Sequence, residues 1–328
     1  MKKITRTMTA LLLITLILFS AAAAEQKLNV VTTIFPVHDW VREVVGENTD
    51  HVELTMLLDS GVDLHSYQPS VQDIVRVTTA DVFVYVGGES DEWIKGALAE
   101  AVNKELTAVN LVEIMGEDIK TEEIVEGMEH DHDHDHEEDH DREEDHDHGE
   151  EADEHVWLSL RNAQKLVKAI ADVLASKDAA HADSYRANAA AYTQKLAALD
   201  EEYKAVTGSA AYRTVLFGDR FPFRYLVDDY GLDYYAAFSG CSAETEASFQ
   251  TIVFLAGKVD ELGLPAVLTI ENPQTRIAET IVGNTKEKNQ KVLSLDSMQG
   301  TTEKDLQAGT TYLGIMESNL DVLKEALN

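Results

Sequence analysis

Short apolar runs alternate with amphipathic stretches over residues 27–111 of this chain of 328 residues. The apolar runs predict strands at 27–33, 52–58, 81–86 and 106–111. The stretches between them carry apolar residues at helical spacing and predict helices at 37–45, 71–79 and 93–102. Strands that alternate with helices fold into a parallel sheet covered by helices. The pattern therefore predicts an α/β lobe.

A second series of the same kind follows residue 207. It predicts strands at 214–217, 233–238, 266–270 and 291–295, and helices at 249–262, 276–282 and 306–326. The chain is thus predicted to fold into two α/β lobes, each built on a parallel sheet. We place these lobes at residues 25–180 and 208–328.

A long helical pattern lies between the two series. Residues 182–206 carry aromatic and apolar side chains at helical spacing, without glycine or proline. As one helix they would extend about 37 Å at 1.5 Å per residue. We predict that residues 181–207 join the lobes as a rigid helix, after an amphipathic helix at 160–174, with a ligand-binding cleft between the lobes. A surface helix of one large domain is equally compatible with this periodicity.

The first 24 residues have the pattern of a secretory signal peptide. Three basic residues precede an apolar run at 10–19 that is too short to span a bilayer, and three alanines end at Ala24. We expect cleavage after Ala24 and a soluble protein in the periplasm or outside the cell. No cysteine lies near this point, so a lipid anchor on cysteine is not expected. An uncleaved membrane anchor is the alternative.

The composition favours cations as partners. The formal net charge is −33 at pH 7, and losing the basic signal peptide would make it more negative. A polyanion is repelled by nucleic acid and by anionic membranes, so we expect neither as a partner. Cys241 is the only cysteine, which excludes an intrachain disulfide.

The negative charge is concentrated between Thr121 and Glu154, where 19 acidic residues accompany a single basic one. Because apolar residues are too few there to offset the entropy lost on folding, we predict a disordered acidic loop at 121–152. Seven histidines lie in this loop: His130, His132, His134, His136, His140, His146 and His148. Imidazole and carboxylate groups together bind ions such as Zn²⁺, so several weak metal sites are expected. A solvated acidic spacer is the alternative, but acidity alone does not explain the histidines.

Two further histidines lie in loops next to predicted helices. His65 is part of the segment D-L-H-S-Y-Q-P at 63–69, and His155 is part of D-E-H-V-W-L at 153–158. Loops at the carboxyl ends of parallel strands commonly bind ligands. A single histidine in such a loop is more often a surface residue, but two of them, each followed by an aromatic residue, favour a metal site.

These segments resemble those of a known family, the zinc and manganese solute-binding proteins of ABC importers. The first is similar to the family's D-P-H-x-Y-x-P segment and the second to its D-x-H-x-W-L segment, each with a histidine that binds metal. Zinc-specific members carry a histidine-rich acidic loop between the two, as this chain does. The resemblance implies two α/β lobes joined by a long helix and a Zn²⁺ site with His65 and His155 as ligands. It also implies a membrane permease as partner.

The resemblance implies further ligands from the second lobe. A strand-end Leu-Asp pattern makes Asp296 a candidate, although an aspartate there can also cap a turn. The family's third ligand aligns with Arg220, whose charged guanidinium cannot bind a cation. We rank Asp219 first and Cys241 second as its replacement, and expect Arg220 to pair with one of the second-lobe acids. The remaining substitutes are Glu244 and Glu246.

We therefore predict an extracytoplasmic monomer that binds Zn²⁺ and delivers it to an importer without catalysing a reaction. No predicted helix carries the metalloprotease pattern H-E-x-x-H, which argues against a secreted zinc hydrolase. A zinc buffer without a transporter is a second alternative. A manganese-specific protein is a third, although Mn²⁺ favours oxygen ligands over imidazole. The other histidines are expected to be structural or solvated: His38, His51 and His181.

Overall fold

The computed structural model describes residues 27–47, 49–128, 152–242, 246–271 and 275–328. The predicted signal peptide, the seven histidines of the acidic loop and Glu244 lie outside the described residues. The predictions made for them therefore stay predictions. No helix in the described part of the chain combines the length and the apolar character needed to cross a membrane.

The first lobe is built on a four-stranded parallel sheet with the strand order β2-β1-β3-β4. Its strands are β1 (Leu28–Thr32), β2 (Val52–Met56), β3 (Val82–Tyr85) and β4 (Thr107–Asn110). Its helices are α1 (Phe35–Val45), α2 (Val71–Thr79), α3 (Trp93–Ala99) and α4 (Leu111–Met115). The sequence did not predict α4, which follows β4 directly because the Asn110 side chain accepts the Glu113 N–H and caps the new helix.

Two helices follow the acidic segment. They are α5 (Leu160–Lys177) and α6 (Ala182–Ser209), and the second has 28 residues. The helix α6 packs against α5 and α1. It turns a face of large side chains inward, including the buried Tyr185, Tyr192 and Tyr203. The periodicity that predicted a long helix is therefore the periodicity of its buried face.

The second lobe repeats the plan of the first, with the strand order β6-β5-β7-β8 and every pair parallel. Its strands are β5 (Thr214–Phe221), β6 (Asp233–Ser239), β7 (Ala266–Thr269) and β8 (Lys291–Ser294). Its helices are α7 (Arg224–Tyr230), α8 (Phe249–Leu262), α9 (Arg276–Asn284), α10 (Glu303–Gln307) and α11 (Tyr312–Ala326). The predicted fold of two lobes with parallel sheets is confirmed.

Three elements of the second lobe differ from the prediction, and the first is the helix α7, which was not predicted from the sequence. The single helix predicted at 306–326 is divided into α10 and α11, because Gly309 has φ +94°, a value that helices do not use. The strand β5 is longer than predicted and continues through Asp219 and Arg220, after a register shift between Phe217 and Arg220. These two residues therefore lie on an irregular strand and not in a loop.

One hydrophobic core runs from the first lobe along α6 into the second. The buried Trp157 connects the lobes through two hydrogen bonds: its Nε1 donates to the Ser297 carbonyl at 2.9 Å, and its carbonyl accepts from the Tyr312 hydroxyl at 2.7 Å. The Tyr203 hydroxyl of α6 donates to the Met316 carbonyl of α11 at 2.6 Å. Because buried polar groups are costly to leave unpaired, these bonds hold the lobes in one arrangement. The residue boundaries that we assigned to the lobes stay a prediction.

Candidate metal centre

The two Asp-x-His segments share one local hydrogen bond. In the first, Asp63 Oδ1 accepts the His65 N–H at 3.0 Å, and in the second, Asp153 Oδ1 accepts the His155 N–H at 2.9 Å. His65 lies within a 3₁₀ turn at Leu64–Ser66, whereas His155 directly precedes one at Val156–Leu158. The short aspartate side chain thus fixes the backbone of the histidine two positions later.

The fold brings the two imidazole rings together with their Nε2 atoms facing each other. The Nδ1 atom of His65 lies 2.7 Å from Ser90 Oγ, and that of His155 lies 3.0 Å from Asp153 Oδ1. The two Nε2 atoms are 3.1 Å apart. Two donors on a tetrahedral Zn²⁺, each bonded at about 2.0–2.1 Å, lie about 3.3 Å from each other. The Nε2 atoms therefore already have the spacing of two ligands to one ion.

Cys241 adds a third donor to this pair. Its Sγ and one ring nitrogen from each histidine all lie within 4.8 Å of one another, and we call these three residues the histidine–cysteine cluster. Cys241 is held from the first lobe, because its N–H donates to Glu122 Oε1 at 2.9 Å. The close approach depends on Gly240, where a Cβ atom would lie 3.0 Å from His155 Cε1.

Carboxylates make the surroundings of the cluster negative. Glu154 is buried, and its Oε1 accepts the Ser90 N–H at 2.9 Å. Among the described residues its Oε2 has no hydrogen-bond partner, and it lies 3.9 Å from His65 Nδ1. Beside the cluster opens a cavity of ≈ 470 Å³ whose walls include Asp91, Glu122, Glu154 and Cys241. A cavity with these walls attracts cations.

The environment of the cluster keeps imidazole nitrogen available for a metal. Burial, assisted by the neighbouring His155, lowers the pKa of His65 to about 3, so His65 is neutral at physiological pH. Burial also raises the pKa of the Cys241 thiol, and the nearby Glu122 and Glu154 raise it further. The thiol is therefore protonated until a cation replaces the proton.

Arg220 connects the second lobe to the loop that holds His65. Its Nη2 forms an ion pair with Asp63 Oδ2, while only its backbone N–H meets Asp219, at 2.9 Å. The prediction that its side chain pairs with a second-lobe acid is therefore wrong. Burial alone would raise the pKa of Asp63, but the charge and the hydrogen bond of Arg220 lower it instead. Asp63 thus contacts both residues: its Oδ2 pairs with Arg220, and its Oδ1 accepts the His65 backbone N–H.

Asp219 lies outside the histidine–cysteine cluster. One of its carboxylate oxygens accepts the Arg220 N–H at 2.9 Å, and the other accepts the Ile270 N–H at 3.3 Å. Both oxygens are therefore engaged by the backbone of the second lobe. Its role as a ligand stays a prediction, and the geometry favours Cys241 as the third donor.

Asp296 also lies outside the cluster, at the end of β8. Its Oδ1 accepts the Met298 N–H at 2.7 Å, which is the turn-capping role named as the alternative. Burial and the charge of Glu271 raise its pKa to about 6. Its assignment as a ligand likewise stays a prediction. The substitute Glu246 is exposed.

Three residues that shape the site were not identified from the sequence: Ser90, Gly240 and Glu154. Ser90 was detectable in principle, because it lies in the loop after β3, the strand next to β1 in the sheet centre. Nothing in the local sequence marks Gly240, since its role depends on a histidine from the other lobe.

Comparison with known proteins gives matches over nearly the whole chain. The family described as "Zinc-uptake complex component A periplasmic" matches residues 30–326. The zinc-binding protein AdcA of Streptococcus pyogenes is 31% identical over 306 residues, which make up 92% of this chain and 56% of AdcA. The high-affinity zinc uptake system protein ZnuA of Bacillus subtilis is 30% identical over 308 residues, or 94% of this chain and 90% of that protein. The chain thus spans little more than half the length of AdcA.

A solved structure supports the same relationship. The crystal structure of the Zn(II)-bound ZnuA-like domain of Streptococcus pneumoniae AdcA matches with a TM-score of 0.70 and 29% sequence identity. The match covers 92% of this chain and 99% of that domain. The two-lobe architecture is therefore shared with a domain whose structure contains zinc.

Proposed function

The chain belongs to the family of periplasmic zinc-uptake A components, and on this basis we propose that it captures Zn²⁺ outside the cytoplasmic membrane and delivers it to the permease of an ABC importer. The observation that carries the proposal is the convergence of His65, His155 and Cys241 on one point between the lobes. The names of the relatives agree with it, since they describe a zinc-binding protein and a zinc uptake protein.

The donor set favours zinc over manganese. Two imidazole nitrogens and one thiolate are ligands that suit Zn²⁺, whereas Mn²⁺ favours carboxylate, carbonyl and water oxygens. We infer that Cys241 replaces the third family ligand in preference to Asp219. Asp296 stays our candidate for the fourth donor: its Oδ1 accepts the Met298 N–H, and its other carboxylate oxygen would bind the ion.

Capture and release, without catalysis, follow from a shell made of protein donors. A zinc hydrolase needs an open coordination position for water and a general base beside it. With Asp296 as the fourth donor beside His65, His155 and Cys241, protein groups would fill the shell, and the ion would leave only when a donor of the second lobe moves away from it. We further propose that the protein acts as a monomer, that residues 1–24 direct its export, and that the acidic loop at 121–152 gathers zinc near the site.

Zinc import tests this function directly. In vesicles that hold the importer's permease and ATPase, we expect the zinc-loaded protein to start ATP-dependent zinc uptake, because the permease receives the ion from a loaded receptor. The His65→Ala protein should not support uptake. If zinc enters the vesicles at the same rate without the protein, the protein is a zinc buffer and not the receptor of the importer.

Asp153 is expected to contribute to zinc affinity without touching the ion. Its carboxylate holds Nδ1 of His155 at 3.0 Å, which fixes the ring so that Nε2 faces the metal. Asp153→Asn should weaken zinc binding by about 10–100-fold, the usual cost of losing such a partner. Competition with a fluorescent zinc chelator measures the change.

The matched control for this variant is Asp118→Asn. Asp118 is an exposed first-lobe aspartate that pairs with Lys165, so its replacement removes the same charge away from the site. We expect the control to bind zinc like the parent. Equal losses in both variants would mean that overall charge, and not the orientation of His155, sets the affinity.

A further inference from the structure

A second group of metal-binding side chains lies at the opposite edge of the first sheet. His51 directly precedes β2, and Asp178 and His181 lie between α5 and α6. One donor atom from each of the three residues lies within 4.8 Å of the other two. Both histidines were expected to be structural or solvated, because each stands alone on a predicted helix or loop surface. The fold brings them together.

Asp178 Oδ2 is the atom of this group that lies near a ring nitrogen of both histidines. It lies 2.7 Å from His181 Nδ1 and 3.7 Å from His51 Nε2. Donors to one tetrahedral Zn²⁺ lie about 3.3 Å apart, so both distances are within about 0.6 Å of the spacing that an ion requires.

The two rings need only a local change to share an ion. They stack with centroids 3.6 Å apart and an angle of 17° between their planes. Because a metal lies in the plane of each imidazole that binds it, each ring must turn about its Cβ–Cγ bond. A cavity of ≈ 630 Å³ borders His51, Asp178 and His181 and gives space for this turn.

A tyrosine behind the group orients the carboxylate. The Tyr185 hydroxyl donates to Asp178 Oδ2 at 2.8 Å and lies 2.9 Å from His51 Nε2. The same carboxylate oxygen lies 2.7 Å from His181 Nδ1, so hydrogen bonds from two sides fix the orientation of the carboxylate.

This group is separate from the histidine–cysteine cluster. His51 lies at the amino edge of the sheet, where its carbonyl accepts the N–H of Leu28, the first residue of β1. His65 and Ser90 lie in loops that follow β2 and β3. A strand of five residues such as β1 separates the two edges by about 16 Å, at about 3.3 Å per residue. The two sites share no donor.

We propose that His51, Asp178 and His181 form a second binding site for a divalent cation. Asp178 Oδ2 and one ring nitrogen of each histidine bind the ion, and water completes the shell. Two imidazoles and a carboxylate suit Zn²⁺, and Ni²⁺ or Cu²⁺ can compete for the same donors. Because His51 directly precedes β2 and the other two residues lie in the α5–α6 connection, the bound ion would link the start of α6 to the first sheet.

Nitrogen chemical shifts of the histidine rings test the proposal in the full chain. The protein is prepared with isotope-labelled histidine, and the signals of the two rings are assigned with His51→Gln and His181→Gln. We expect both rings to acquire the shift of a zinc-bound nitrogen after the first equivalent of zinc has filled the histidine–cysteine cluster. In Asp178→Asn the same change of chemical shift should need at least about tenfold more zinc. Losing a residue that only orients a metal ligand costs about 10–100-fold in affinity, and Asp178 is itself a proposed ligand.

Two comparisons make the test decisive. Asparagine at position 178 keeps an oxygen for the Tyr185 hydroxyl, so the connection between α5 and α6 should stay folded. Asp172→Asn removes the same charge from an exposed residue of α5 that pairs with Arg186, and its titration should equal that of the parent. The proposal is overturned if the shifts of the two rings do not change with zinc, or if Asp178→Asn titrates like the parent.

Discussion

Replacing His65 or His155 by alanine is expected to weaken Zn²⁺ binding by at least about 100-fold. Protein sites that fully coordinate zinc bind it with roughly 10–16 kcal/mol. Shared among three or four protein ligands, this is about 3 kcal/mol or more for each, and every 1.4 kcal/mol changes the affinity about tenfold. The two Nε2 atoms are 3.1 Å apart and face each other, so each variant removes a donor that is already in place.

The measurement is a calorimetric titration in the presence of a competing chelator. It is made on protein that lacks residues 129–150, because the seven loop histidines would otherwise bind several zinc ions weakly. This deletion should leave one tight equivalent in the parent. If the deletion itself removes the tight site, the acidic loop is the principal binder and the histidine–cysteine cluster is not.

The matched control is His38→Gln. His38 is a histidine of α1 whose Nδ1 lies 3.4 Å from Thr32 Oγ1, and it does not belong to the cluster. The His38→Gln protein should bind zinc like the parent. Zinc should also raise the melting temperature of the parent and the control, since a ligand that binds only the native state stabilises it, and should raise that of the two alanine variants much less. Unchanged tight binding in either alanine variant would remove that histidine from the site.

Cys241→Ser is expected to have the second large effect, again a loss of affinity on the order of 100-fold. The variant replaces a sulfur donor by a hydroxyl, which is a much poorer ligand for zinc. X-ray absorption spectroscopy of the one-zinc protein should show a sulfur neighbour at about 2.3 Å in the parent and none in the variant.

Zinc affinity and X-ray absorption spectroscopy of variants of Asp219 and Asp296 distinguish the alternative sets of zinc ligands. Asp219→Asn should bind zinc nearly as well as the parent, because both oxygens of Asp219 accept backbone N–H groups of its own lobe. Asp296→Asn should weaken binding, because the variant removes the charge of the proposed fourth donor and replaces one carboxylate oxygen by an amide nitrogen. A shell of only nitrogen and oxygen, together with a large loss in Asp219→Asn, would restore Asp219 as the third ligand and exclude Cys241.

Local sequence was sufficient for most of the fold. The helix at 71–79 has the bounds that the sequence predicted, because Ser70 and Asp73 form a capping box that fixes its start. The strands of both sheets were predicted within a few residues, because short apolar runs between helices are typical of buried parallel strands. The helix at 306–326 was predicted as one element, because its apolar spacing continues across Gly309 although the backbone does not.

The sequence also determined the first half of the site. Each Asp-x-His segment is a local structure in which the aspartate accepts the N–H of the histidine two positions later. Such a bond needs no distant residue, so a short motif specifies it. The motif therefore specifies the local structure of His65 and His155, which stay our proposed ligands, and it indicates the class of metal that imidazole prefers.

Only the tertiary structure decided which side chains lie beside the two histidines. Cys241 meets the histidines because β6 ends opposite the first lobe and because Gly240 has no side chain to block His155. Arg220 pairs with Asp63 of the first lobe, and His51 reaches Asp178 and His181 across the sequence in the same way. These contacts join residues that are distant in the chain. Their distances depend on how lobes and helices pack and not on local propensity, which is why no pattern in the sequence specified them.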